Sequence, residues 1–122
     1  MSPAPNRILV VEDDLDVLDI LIQVLEMAGY LATGAINGRD ALEKLATGPR
    51  PCMILLDLMM PVMTGWEMYE ILAADPALAS IPVVFVSAAG EPSEAEASKP
   101  AAYLRKPIEV KVLLETVQRF CV

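Results

Sequence analysis

The chain contains no histidine, only two cysteines, and no apolar run long enough to span a bilayer. Without histidine it lacks the commonest metal ligand and proton shuttle, and it cannot carry a phosphohistidine of its own. Cys52 lies in an apolar run and Cys121 lies near the C-terminus; neither belongs to a closely spaced metal motif. They are the only two that could pair, and both read as buried free thiols. Basic residues are scarce, 9 against 17 acidic ones, for a formal charge of −8. Such a surface repels a phosphate backbone, so direct nucleic-acid binding is not expected. The opening Met-Ser-Pro-Ala-Pro-Asn has no basic start followed by an apolar stretch. No secretory signal or membrane association is expected from it, and the cytoplasm is the default location.

What is present fits one domain: 122 residues, 55% of them apolar, enough to cover a sheet on both faces. Residues 1–6 read as a flexible tail and 7–122 as the domain. Arg7–Val11 is a short β-branched run that stops at Glu12, Asp13 and Asp14, the pattern of a buried strand ending in a polar loop. Val17, Leu18, Leu21, Ile22 and Leu25 then recur at helical spacing, with Gly29 as the stop. Leu31–Ala35 is a weak second strand, Asn37-Gly38 a turn or cap, and Ala41, Leu42 and Leu45 mark a second helix. Cys52–Leu56 is a third strand ending at Asp57, and a third helix runs from Gly65 to about Ala74. Pro82–Val86 is a fourth strand ending at Ser87. Residues 91–101 hold Pro92 and Pro100, so a fourth helix there should be short or irregular, one or two turns. Tyr103-Leu104 forms a fifth strand before Lys106-Pro107. Val110, Leu113, Leu114, Val117 and Phe120 mark a last amphipathic helix.

Strands alternating with helices in this length predict an α/β fold, a doubly wound five-stranded parallel sheet. Ligands of such sheets bind at the carboxyl ends of the strands. The polar residues fall there: Glu12, Asp13 and Asp14 after the first strand, Asp57 after the third, Ser87 after the fourth, Lys106 after the fifth. Carboxylates gathered at one edge repel one another unless a hard cation relieves them. Magnesium suits a small open cluster of oxygen ligands that also takes phosphate oxygens, and Lys106 supplies a point charge for the same anion. Taken singly each residue has a plainer role: Asp14 as a helix N-cap, Ser87 as a turn residue, Lys106-Pro107 as a loop. Their coincidence is what points to a site.

These residues resemble the receiver domain of bacterial response regulators over nearly the whole chain, from Arg7 to Phe120. Ile-Leu-Val-Val-Glu-Asp-Asp at 8–14 looks like the family's first strand and acidic pair. Leu-Leu-Asp-Leu-Met-Met-Pro-Val-Met-Thr-Gly-Trp-Glu at 55–67 looks like its phosphorylation loop, and Val-Val-Phe-Val-Ser-Ala at 83–88 and Tyr-Leu-Arg-Lys-Pro at 103–107 look like its two remaining motifs. The resemblance implies the flavodoxin-like strand order 2-1-3-4-5. It implies that Asp57 takes a phosphoryl group and is a metal ligand, and that Glu12, Asp13 and the backbone carbonyl of Met59 hold Mg2+ with it. Ser87 and Lys106 would each contact a phosphoryl oxygen, the Lys106-Pro107 bond would be cis, and Ser87 and Tyr103 would form the switch. The implied partners are a sensor histidine kinase or phosphotransfer protein as donor and a downstream protein target. Such a domain catalyses only its own phosphorylation and dephosphorylation.

Two departures from the family pattern matter. Ser87 and Lys106 stand closer in sequence than the family usually places them, and the shortening falls in the proline-containing fourth helix; a monomer or weak dimer is expected. Met59 and Ala89, where the family tunes the lifetime of the phosphoryl group, are both apolar, which implies slow autohydrolysis. A phosphatase resembling the haloacid dehalogenases would need an acid two positions past the nucleophile, where Met59 stands and cannot protonate a leaving group. A pseudo-receiver that is never phosphorylated would lack the acids, the serine or the lysine, and all are present.

Overall fold

The computed structural model describes residues 6–88 and 100–121. The expected tail, apart from Asn6, and the greater part of the expected fourth helix lie outside the described residues.

The strands are β1 (Arg7–Val11), β2 (Leu31–Ala35), β3 (Met53–Asp57), β4 (Val83–Ser87) and β5 (Ala102–Arg105). Among the described residues there are four helices: α1 (Leu15–Met27), α2 (Gly38–Thr47), α3 (Gly65–Ala74) and α4 (Val110–Phe120). The strands form one sheet in the order β2-β1-β3-β4-β5, every pair parallel, as expected. None of the helices among the described residues is long and apolar enough to cross a membrane.

Local chemistry sets the element boundaries. The Asp14 side chain accepts hydrogen bonds from the backbone N–H groups of Asp16 and Val17 and so caps α1. Just past the end of α1, Gly29 adopts φ +98°, a conformation glycine takes without a Cβ clash. Asn37 caps α2 through the Asp40 N–H. Thr64 and Glu67 form a reciprocal capping box at the start of α3.

Alternation along the strands divides the core into two layers. Ile8, Val10, Met53, Leu55, Val84, Val86 and Leu104 face α1 and α4, where they meet Leu18, Leu21, Leu25, Leu113 and Val117. Leu9, Val11, Ile54, Leu56, Val83 and Phe85 face α2 and α3, against Ala41, Met68 and Leu72. β3 and β4 are buried along their whole lengths, as befits the middle of a sheet covered on both sides.

One expectation is overturned. Cys52 and Cys121 are joined in a disulfide across a Cα–Cα distance of 5.4 Å, leaving no free cysteine among the described residues. Cys52 immediately precedes β3 and Cys121 immediately follows α4. A helix that crosses over a parallel sheet ends at the edge where the strands begin, so residues 69 apart in sequence become neighbours. Nothing local in the sequence marks that proximity.

Candidate functional site

Alternation also explains how the polar residues converge. Asp57 has the same parity as Met53 and Leu55, and so lies on the α1/α4 side of the sheet. Carried one residue past the ends of β1 and β5, the same alternation puts Glu12 and Lys106 on that side too. Lys106 Nζ lies 2.9 Å from Glu12 Oε1 and 3.2 Å from Asp57 Oδ2. Glu12 and Asp57 are only 2% and 3% exposed, whereas Asp13 stands at the open side. Ligand atoms of Glu12, Asp13 and Asp57 all lie within 4.8 Å of one another.

The backbone braces the two buried acids. The Met59 N–H donates to Asp57 Oδ1 at 3.1 Å, and the Asp14 N–H donates to Glu12 Oε2 at 3.2 Å. Burial pushes the Glu12 carboxyl up to about 7; Lys106 pulls it back, and the adjacent Asp57 adds to the rise. Burial also works against the Lys106 ammonium, but the ion pair with Glu12 and the charge of Asp57 outweigh it and hold its pKa above the ordinary value. Two buried carboxylates and the exposed Asp13 beside one ammonium leave surplus negative charge at this edge of the sheet. That is the environment a divalent cation with oxygen ligands would relieve, so the donor set fits magnesium.

The remaining residues named from sequence lie on the opposite face. Ser87, at the end of β4, shares the parity of Phe85, and Tyr103 is paired with Phe85 in the β4–β5 register. Ser87 is buried, and its carbonyl accepts the Lys106 N–H at 3.0 Å, which ties the β4 end to the lysine. The rings of Trp66, Tyr69 and Tyr103 all meet Phe85 edge-on, with centroids 4.7, 5.2 and 5.7 Å away. The Lys106-Pro107 bond is cis, as the resemblance implies.

Two features escape a reading of the sequence. The first is the tightness of the loop after Asp57. A Cβ on Gly65 would come within 2.6 Å of the Asp57 carbonyl oxygen and 2.7 Å of the Leu58 Cα. The Gly65 N–H donates to the Leu58 carbonyl at 3.1 Å, closing the loop back on itself. The glycine was visible only as the start of a helix. The second is the ring cluster around Phe85, whose members come from three separate elements. Beside Lys106, a hollow of about 440 Å³ is lined by Val17, Ile20, Leu21, Ala88, Pro107 and Ile108.

Comparison with known proteins accords with this geometry. Residues 8–118 match the response regulator receiver domain family. The chain is 32% identical over 119 residues to the polar-differentiation response regulator DivK of Brucella anthropi, covering 95% of this chain and 96% of DivK. Among solved structures it resembles chemotaxis protein CheY4 of Vibrio cholerae, with a TM-score of 0.86 and 30% identity over 96% of this chain and 99% of that one. It also resembles the signal receiver domain of a signal transduction histidine kinase from Syntrophus aciditrophicus, with a TM-score of 0.86 and 30% identity over 94% and 89% of the two chains.

Proposed function

Because the chain belongs to the response regulator receiver family, whose members are magnesium-dependent phosphoacceptors of two-component signalling, we propose that Asp57 is the residue phosphorylated and that its neighbours divide the work as follows. An Asp57 carboxylate oxygen attacks the phosphorus of a phosphohistidine donor, the phosphorus–nitrogen bond breaks, and the imidazole leaves. A carboxylate nucleophile carries no proton that a general base would have to remove. Glu12, Asp13, Asp57 and the Met59 carbonyl would hold magnesium, which would supply positive charge against the phosphoryl oxygens. Lys106 moves its ion pair from Glu12 to a phosphoryl oxygen, and the Ser87 hydroxyl donates to another. Tyr103, on the same face as Ser87, carries the change to the surface.

The observation that bears most of this reading is the meeting of Glu12, Asp57 and Lys106 within 3.2 Å at one edge of the sheet. Catalysis of phosphoryl transfer is largely positioning and charge neutralisation, which this cluster is equipped to provide. The donor is a sensor histidine kinase or phosphotransfer protein. The apolar hollow beside Lys106 and the exposed Leu15, Ile20 and Met59 give such a protein a surface next to the nucleophile. The output is a protein target, with the domain acting as a monomer or weak dimer. A cytoplasmic location accords with the absence of a membrane-crossing helix among the described residues. Residues 7–122 make up the receiver domain, with 1–6 as its tail.

Incubation with acetyl phosphate and magnesium, followed by intact mass measurement, tests the assignment. Wild type should gain one phosphoryl mass and Asp57→Asn none. A gain that persists in the variant, or no gain in wild type, refutes it.

A further inference from the structure

The disulfide lies at the other end of the sheet from the phosphoacceptor site. Cys52 stands before the first residue of β3 and Asp57 is its last, which separates them by roughly 15 Å of extended chain. The chemistry proposed for Asp57 makes no use of the pair. Cys121 is 4% exposed and packs in the α1/α4 layer of the core, whereas Cys52 is half-buried and is the less enclosed of the two. The Arg7 carbonyl lies 3.0 Å from Cys52 Sγ. A reduced Cys52 thiol therefore has a ready acceptor, and a reduced Cys121 would sit in apolar surroundings that suit a neutral thiol. Neither thiol of a reduced pair would thus be stranded as an unpartnered polar group.

We infer that Cys52 and Cys121 form a reversible thiol–disulfide site, through which the stability of this domain responds to the surrounding pool of small-molecule thiols and disulfides. In oxidation the Cys52 thiolate attacks a sulfur of a small disulfide such as oxidised glutathione, giving a mixed disulfide and releasing one glutathione thiolate. The Cys121 thiolate then attacks Cys52 Sγ, the mixed disulfide breaks, and the second glutathione leaves. The two protons given up by the protein thiols end on the two glutathione molecules, and two electrons pass to the oxidant. Reduction runs the same steps in reverse, with glutathione entering at Cys52.

The two cysteines are 69 residues apart. Closing a loop of that length in the unfolded chain disfavours unfolding by about a thousandfold in the equilibrium constant. By linkage, folding favours the disulfide over the dithiol by the same factor. A pair in a reducing compartment would otherwise stay open; this factor lets it close when the poise shifts.

The test uses the full chain, equilibrated in glutathione buffers of graded ratio with and without denaturing urea. Thiols are trapped by acid and alkylation and counted by intact mass. The equilibrium constant for forming the internal disulfide should be about a thousandfold larger in the folded chain than in urea. Equal constants, or a folded chain that accumulates mixed glutathione disulfides instead of the internal one, overturns the inference. In urea unfolding, dithiothreitol should lower the midpoint of wild type and leave that of Cys52→Ser/Cys121→Ser unmoved. A wild-type midpoint indifferent to reduction also overturns it.

Discussion

At the scale of single residues, Lys106 and a divalent cation are rivals for the same carboxylates. The ammonium is 2.9 Å from Glu12 and 3.2 Å from Asp57, and its side chain is only a quarter exposed. A positive charge this close weakens the attraction of a cation to both acids. Lys106→Met should therefore bind magnesium more tightly, by about 1–2 kcal/mol or roughly tenfold, even as it removes the ammonium proposed to contact the phosphoryl group. Calorimetric titration of the unphosphorylated protein checks this, and an affinity equal to or below that of wild type would show that the lysine does not compete. Asp14, two positions along from Glu12, illustrates the opposite outcome for a residue of the same acidic run. Its carboxylate is spent on the α1 N-terminus, and it takes no part in the cluster.

At the scale of elements, the loop from β3 to α3 is held by close backbone approach. Gly65 begins α3 while lying against the Asp57 carbonyl and Leu58. Alanine is the better helix former, yet its Cβ would meet backbone that cannot swing aside. Gly65→Ala should cost about 1–3 kcal/mol of stability in urea unfolding and slow phosphorylation by acetyl phosphate, since the displaced backbone carries the nucleophile. The centre of β4 has a comparable demand. Phe85 is fully buried and meets the edges or faces of three other rings. Phe85→Ala is expected to cost about 3–5 kcal/mol, read from the urea midpoint, because three aromatic neighbours cannot collapse into the space together.

For the molecule as a whole, the acidic cluster makes stability depend on pH. The Glu12 carboxyl is pushed up from 4.5 to about 7, so between those values the folded chain holds a proton that the unfolded chain has released. The contribution is fully present below pH 4.5 and is lost as pH rises through 7. In the presence of a chelator, wild type should lose on the order of 2 kcal/mol relative to Glu12→Gln between pH 5 and pH 8. Magnesium should recover that loss at pH 8 and do little at pH 5. Urea unfolding of both proteins at the two pH values measures it, and identical pH dependence in the two would mean that Glu12 is not the group responsible.

Much of this was legible along the chain because it is encoded locally. Five short strand-like runs, four of them ending at polar residues, place five strands and the chemistry at their carboxyl ends; the period of Leu18, Leu21 and Leu25 sets the buried face of α1. Asp57, Glu12, Asp13, Ser87 and Lys106 could be named in this way, since each stands at or beside a strand boundary that hydrophobic pattern and turn residues define; Tyr103 was named only through the resemblance to receiver domains. Tertiary structure decided what depends on the distance between elements. It set the parity that brings Glu12, Asp57 and Lys106 to one face and Ser87 and Tyr103 to the other, and the closeness that only a glycine at position 65 permits. It also joined Cys52 to Cys121, read from sequence as separate thiols. A sequence specifies which way each side chain alternates within its own strand, but contacts across 49 or 69 positions exist only once the sheet has ordered its strands and the helices have crossed over them.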